Sequence, residues 1–161
     1  MSGIQYEVNP MWKFLRDNFG FGEAFSFFGP YAGASIKVRV IDQFTVESSM
    51  DLVLTNTNYV GTHFGGSLYS MCDPFYMFLL MQNLGPDYIV WDKSASIDFL
   101  RPGRGLVKAT FHVSAEEIES IREIVKEKRK MDWSTDCEIL DQEGKSVARL
   151  HKVIYVRRAM R

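Results

Sequence analysis

The sequence predicts an α+β fold in which an antiparallel sheet wraps around one apolar helix. A run of large apolar side chains recurs at helical spacing after residue 65 and is apolar nearly all round, so the helix must be enclosed by other elements. Before and after it, several segments alternate apolar and polar residues with a period of two, which predicts half-buried strands. A curved sheet around a single helix satisfies both patterns.

Composition favours one soluble globular unit spanning residues 1–161. Hydrophobic residues make up 46% and charged residues 24%, and the formal net charge is −1, so no basic footprint for nucleic acid is present. Two cysteines without metal or redox spacing, and an N-terminus without a secretory pattern, predict a cytoplasmic location. A basic cluster closes the chain, comprising Lys152, Arg157, Arg158 and Arg161.

Residues 1–33 are interpreted as an N-terminal helical extension and residues 34–157 as the body. The Phe- and Trp-rich stretch 9–29 predicts one or two short helices that pack on the body or line an apolar pocket; a membrane-surface helix is the alternative. Ile36 begins an alternating strand, and a second alternation from Met50 to Leu54 predicts its partner. Turns or bulges are expected near residues 42–43 and 48–49.

The second half continues the sheet. Gly85 ends the central helix, and strands are predicted over residues 88–100 and 107–113. Ser114 and Glu117 form a capping box that starts an inserted helix near 115–130. Two final strands, joined by a turn at 141–145, complete the pattern.

Chemistry concentrates between residues 58 and 73. A glycine pair, Gly65-Gly66, precedes the central helix, where backbone N–H groups and the helix dipole favour an oxyanion. Asp73 follows about two helical turns later and returns to roughly the same face. An oxyanion donor and a carboxylate could therefore share one pocket.

Simpler interpretations of these residues stay open. Asp73-Pro74 could instead be an N-cap followed by proline at the first helical position. If the helix begins at Gly65, Pro74 lies inside it and should kink it. The glycine pair could be only a tight turn, and Asn58 could cap its own loop.

The motif Asn58, Gly65-Gly66, Asp73, with the later S-I-D-F-L-R-P-G at residues 96–103, resembles the hot-dog-fold acyl-CoA thioesterases of the phenylacetyl-CoA thioesterase type. The resemblance covers roughly residues 34–156 and is closest to a poorly characterised bacterial branch. One position departs from it: many relatives have histidine directly before the glycine pair, whereas Phe64 separates His63 from it here.

The resemblance implies hydrolysis of acyl-CoA thioesters in a site shared by two subunits. Gly65 would donate its N–H to the oxyanion, and Asp73 of the other subunit would act as general base or nucleophile. Asn58 would orient the attacking water or the carboxylate. His63 would either bond near the thioester or brace its loop.

Substrate binding would involve Phe64 and Gly66, while Arg101 and Arg104 would contact CoA phosphates or, alternatively, be solvated turn residues. No metal or other cofactor is expected, since CoA belongs to the substrate. The resemblance also implies a homodimer or homotetramer.

Two other functions compete with hydrolysis. Residues 62–65 superficially resemble the G-H-F-P motif of hot-dog dehydratases, with His63 as the base, although the proline is absent and Asp73 lies only ten positions beyond. The other is a non-catalytic protein that binds acyl thioesters or fatty acids in the same fold.

Overall fold

The computed structural model describes residues 9–159. Residues 1–8 of the predicted extension, and Arg161 of the basic cluster, lie outside this range. Within it the elements are, in chain order, α1 (Pro10–Phe19), α2 (Phe21–Ser26), α3 (Gly29–Ala34), β1 (Ile36–Asp42), β2 (Thr45–Met50), α4 (Gly65–Ser70), α5 (Phe75–Leu84), β3 (Tyr88–Phe99), β4 (Val107–His112), α6 (Ala115–Lys128), β5 (Lys130–Asp141) and β6 (Ser146–Arg158).

The strands of the described residues form one sheet in the order β1-β2-β4-β5-β6-β3, and neighbouring strands are antiparallel. Helix α5 packs against this sheet. The Phe75 ring lies 5.0 Å from that of Phe111 on β4, and Tyr76 lies 5.7 Å from Trp133 on β5. This is the hot-dog arrangement, and the predicted α+β fold is confirmed.

The central helix is divided. Helix α4 ends at Ser70 and α5 begins at Phe75, and a turn carrying Asp73 joins them. Pro74 has no N–H for a helical bond to Ser70, which explains why the helix does not run through. The start at Gly65 is confirmed, and the predicted kink is a complete break.

One predicted strand was misplaced. The partner of β1 lies at Thr45–Met50, so Ser48 and Ser49 are inside it rather than at a turn, and Leu54 is 93% exposed. Ser48 takes a core position because its hydroxyl donates to the Met71 carbonyl at 2.6 Å. A hydroxyl with a hydrogen-bond partner can occupy an inward-facing position of a strand in place of an apolar side chain. The sequence of β2 therefore lacks the apolar–polar alternation by which a strand is recognised.

The N-terminal segment folds as three helices, one more than the upper expectation. Aromatic rings attach it to the body: Trp12 lies 4.9 Å from Phe25, and Phe25 lies 5.6 Å from Phe75. Helix α6 begins with the predicted capping box at Ser114. Within residues 9–159, no helix combines the length and apolarity that a bilayer crossing requires.

Candidate active site

A cavity of about 870 Å³ lies between the N-terminal helices and α5. Its size falls in the usual range for small-molecule sites. Most of its wall is aromatic or methionine, including Trp12, Phe21, Phe25, Met77, Phe78 and Met81. Asp73 brings a carboxylate to this mainly apolar wall, which Asn9, Arg16, Ser70 and Gln82 also line.

The Asp73 turn is held by local bonds and by the N-terminal segment. The Asp73 N–H donates to the Ser70 carbonyl at 3.2 Å. The Tyr31 hydroxyl on α3 lies 2.8 Å from the same carbonyl and also contacts the Asp73 carbonyl. Burial, and then the negative charge of Asp73, raise the pKa of Tyr31 well above its ordinary value. Tyr31 therefore stays a neutral donor that fixes the turn.

The side chain of Asp73 binds a buried lysine. Lys152 on β6 places Nζ 2.5 Å from Asp73 Oδ1, and its side chain is 1% exposed whereas that of Asp73 is 39% exposed. The N-cap position of α5 is occupied by Pro74. The Asp73 carboxylate thus makes a long-range ion pair in place of the helix cap considered above.

A second carboxylate completes this cluster. Asp92 Oδ1 on β3 lies 3.0 Å from Lys152 Nζ. Burial raises the pKa of Asp92, the Lys152 charge opposes that effect, and the Asp73 charge adds to it. Burial alone would lower the pKa of Lys152, but the hydrogen bond and charge of Asp73, together with the charge of Asp92, raise it above its ordinary value.

The glycine pair opens α4, with Phe64 at its N-cap position. First-turn N–H groups have no partner inside a helix, so those of Gly65 and Gly66 suit an acceptor outside it. A Cβ on Gly65 would lie 2.9 Å from Phe99 Cζ, and one on Gly66 would overlap the Phe64 ring. A side chain at either position would therefore require the exposed aromatic ring beside it to move.

Asn58 and His63 brace the loop before the glycines. The Asn58 amide oxygen accepts from the N–H of Thr62 at 3.0 Å, and its nitrogen donates to Thr62 Oγ1 at 2.8 Å. His63 Nε2 donates to the Gly105 carbonyl at 2.7 Å. These contacts match the loop-bracing alternatives, and the structure does not bring either side chain to the cavity lining within the described residues.

The two arginines differ in their surroundings. Arg101 donates to the Ser146 carbonyl at 2.9 Å and lies 3.2 Å from Asp141. Arg104 is exposed, and within residues 9–159 it makes no ion pair. Arg104 is therefore the freer of the two to meet a phosphate. Phe64 is exposed on the surface beside the glycines.

Comparison with known proteins places the chain in a family. Residues 20–156 match the model of the domain of unknown function DUF4442. The chain belongs to the DUF4442 family. None of the curated proteins compared with it matches significantly.

Solved structures similar to this DUF4442 protein share its fold. A protein of unknown function from Pseudomonas aeruginosa, described as a probable thioesterase, superposes with a TM-score of 0.72 at 20% identity over 79% of this chain and 85% of that chain. A protein of unknown function from Chlorobaculum tepidum gives 0.67 at 18% identity over 92% of each chain. The E. coli PaaI protein from the phenylacetic acid degradation operon gives 0.58 at 20% identity over 84% of this chain and 88% of that chain.

The DUF4442 protein contains site residues that sequence reasoning missed. The sequence grouped Lys152 with the basic residues at the end of the chain and gave it no role in the site, whereas the structure buries it between carboxylates. The sequence does contain a sign of this burial: on β6 the lysine occupies the inward-facing position between Leu150 and Ile154. Asp92 lies on a strand predicted only as structural. In the described ranges, no group of three or more His, Cys, Asp or Glu is placed to hold a metal ion.

Proposed function

We propose that this protein hydrolyses acyl-CoA thioesters to a free acid and CoA. The observation that carries the proposal is the Asp73 carboxylate on the wall of a large apolar cavity in a hot-dog fold. The name of the Pseudomonas relative, a probable thioesterase, supports the same activity. An apolar cavity suits an acyl or aryl group, and the carboxylate suits activation of water at its thioester end.

In the proposed mechanism, the thioester carbonyl accepts a hydrogen bond from the Gly65 N–H. Asp73 takes a proton from a water molecule as the water oxygen bonds to the carbonyl carbon. The resulting oxyanion collapses, the carbon–sulfur bond breaks, and the CoA thiolate takes the proton from Asp73. In the nucleophilic version, Asp73 itself bonds to the carbonyl carbon, CoA leaves, and water hydrolyses the mixed anhydride.

The substrate would be held at both ends. A medium or long acyl chain, or an aryl group, fills the cavity beside Met77 and Phe78. The CoA phosphates would contact Arg104 and, less strongly, Arg101, because Arg101 already pairs with Asp141. CoA belongs to the substrate, so no metal or redox cofactor takes part in this mechanism.

A homodimer or homotetramer belongs to the same proposal, with Gly65 and Asp73 supplied by different subunits. β3 is at the edge of the sheet, and edge strands offer unpaired backbone groups to another chain. Trp91 and Phe99 on this strand are both more than half exposed. Such a surface favours pairing between copies.

Thiol release from a panel of acyl-CoA substrates, from acetyl to palmitoyl and including phenylacetyl, tests the proposal. We expect turnover of medium or long chains, its loss in Asp73→Asn, and parent activity in the matched control Asp51→Asn, which changes an exposed aspartate after β2. Bound acyl-CoA without turnover would favour the binding-protein alternative. Activity confined to acetyl-CoA would contradict the assignment of the cavity.

A further inference from the structure

Lys152 has a position that structural stability alone explains poorly. The residues before and after it in the inward register of β6, Leu150 and Ile154, are apolar and fully buried. Placing an ammonium group among them carries a large desolvation cost, and an apolar residue of similar volume is often as stable or more stable. Because this lysine reaches the carboxylate at the cavity wall, its position suggests a role in the site.

The surroundings of the ammonium define what it can do. It contacts Asp73 at 2.5 Å and Asp92 at 3.0 Å, and the Tyr69 ring lies 5.8 Å away. The Asp73 bond uses Oδ1 only. The Asp92 carboxylate also borders the Asp73 side chain, and the lysine that holds Asp73 Oδ1 is itself buried.

We propose that Lys152, with Asp92 as its second counter-ion, is a positioning residue that fixes the Asp73 carboxylate at the cavity wall. The proposal rests on the proposed hydrolysis and deepens it. Its physical basis is orientation: a reacting group must be held within a fraction of an ångström of its productive position.

Asp92 allows an effect of Lys152 on the position of Asp73 to be distinguished from an effect of Lys152 on packing. The cluster has two carboxylates for one ammonium group. If Lys152 is replaced by methionine, the two carboxylates lose the charge between them and repel, so Asp73 should move. Replacing Asp92 by asparagine as well removes that repulsion. A packing defect at position 152 would not respond to this second change.

The experiment compares kcat and KM of Lys152→Met, Asp92→Asn and the double variant on a good acyl-CoA substrate. Lys37→Met, which changes an exposed lysine on β1, is the control. We expect kcat to fall roughly 100-fold in Lys152→Met with KM changed less than about three-fold, and the double variant to recover roughly ten-fold. The control should keep the parent kcat.

Two results would overturn the proposal: a folded Lys152→Met protein with the parent kcat, or a double variant no faster than the single one. If Lys152→Met does not fold, the charge-balanced double variant is decisive, because the parent kcat in it would show that the lysine is dispensable. Rescue by the second substitution is a result that a purely structural lysine does not produce.

A crystal structure of Lys152→Met separates this proposal from the proposed function. If Asp73 is displaced while the parent protein and all its variants lack turnover, the positioning by Lys152 stands and the proposed hydrolysis is refuted. An unmoved Asp73 carboxylate would refute the positioning even if the parent protein is an active thioesterase. The two proposals therefore fail in different measurements.

Discussion

Replacing Asp73 by asparagine tests the central residue of the site with the smallest change of shape. The amide cannot take a proton from water or attack as a carboxylate, so kcat should fall roughly 10²–10⁴-fold, the usual contribution of a positioned acid or base. Asn caps a helix about as well as Asp, so the sequence alone gives no reason to expect a stability loss. The ion pair with Lys152 changes that expectation.

The stability change follows from the geometry of the cluster. Lys152 loses a charged partner at 2.5 Å but keeps Asp92 at 3.0 Å. Removing the sole partner of a buried charge costs about 3–5 kcal/mol. Because Asp92 remains and the Asp73 side chain is 39% exposed, we expect about 1–2 kcal/mol. For a chain of this size that lowers Tm by about 2–8 °C.

Thiol release at saturating substrate gives kcat, and urea unfolding gives the free energy, with Asp51→Asn as the charge-matched control. A folded Asp73→Asn protein with the parent kcat would remove Asp73 from the mechanism. A variant as stable as the parent, or more so, would refute the energetic account of the Lys152 pair. The two readouts test separate parts of the reasoning.

Three further predictions concern the cavity, the phosphate contact and alkaline stability. Met77→Trp should shorten the longest acyl chain hydrolysed, because Met77 lines the cavity; an unchanged chain-length profile would contradict its role there. Arg104→Ala should raise KM with little change in kcat, and the effect should weaken with salt; an unaltered KM would leave Arg104 a solvated turn residue. Lys152, Tyr31 and Tyr76 each have a raised pKa in the folded protein. Above pH about 10 the folded chain therefore holds more protons than the unfolded chain. The free energy of unfolding should be greatest below that pH and should fall as the pH rises past it. A free energy of unfolding that stays constant from pH about 8 to 11, measured by urea unfolding, would contradict this.

Two structural features of the candidate site follow from local sequence signals, although neither glycine of the pair lines the cavity that Asp73 reaches. Gly65 does begin a helix, and Asp73 does reach a pocket wall. The loop residues Asn58 and His63 could not be resolved by sequence, since an amide or imidazole within a loop can face substrate or brace the backbone. Only the bonds to Thr62 and Gly105 show how their side chains are used.

The sequence by itself determined the elements whose pattern repeats within a few residues. Alternation placed most strands, and the Ser114 capping box placed α6. The tertiary structure decided the charge cluster, because Asp73 and Lys152 are 79 positions apart and meet only through the register of β6 against the central turn. It also decided the register of β2, where the Met71 carbonyl allows Ser48 to be buried. Periodicity is a property of one segment, whereas the burial of a charge or a hydroxyl depends on the partner that another segment supplies.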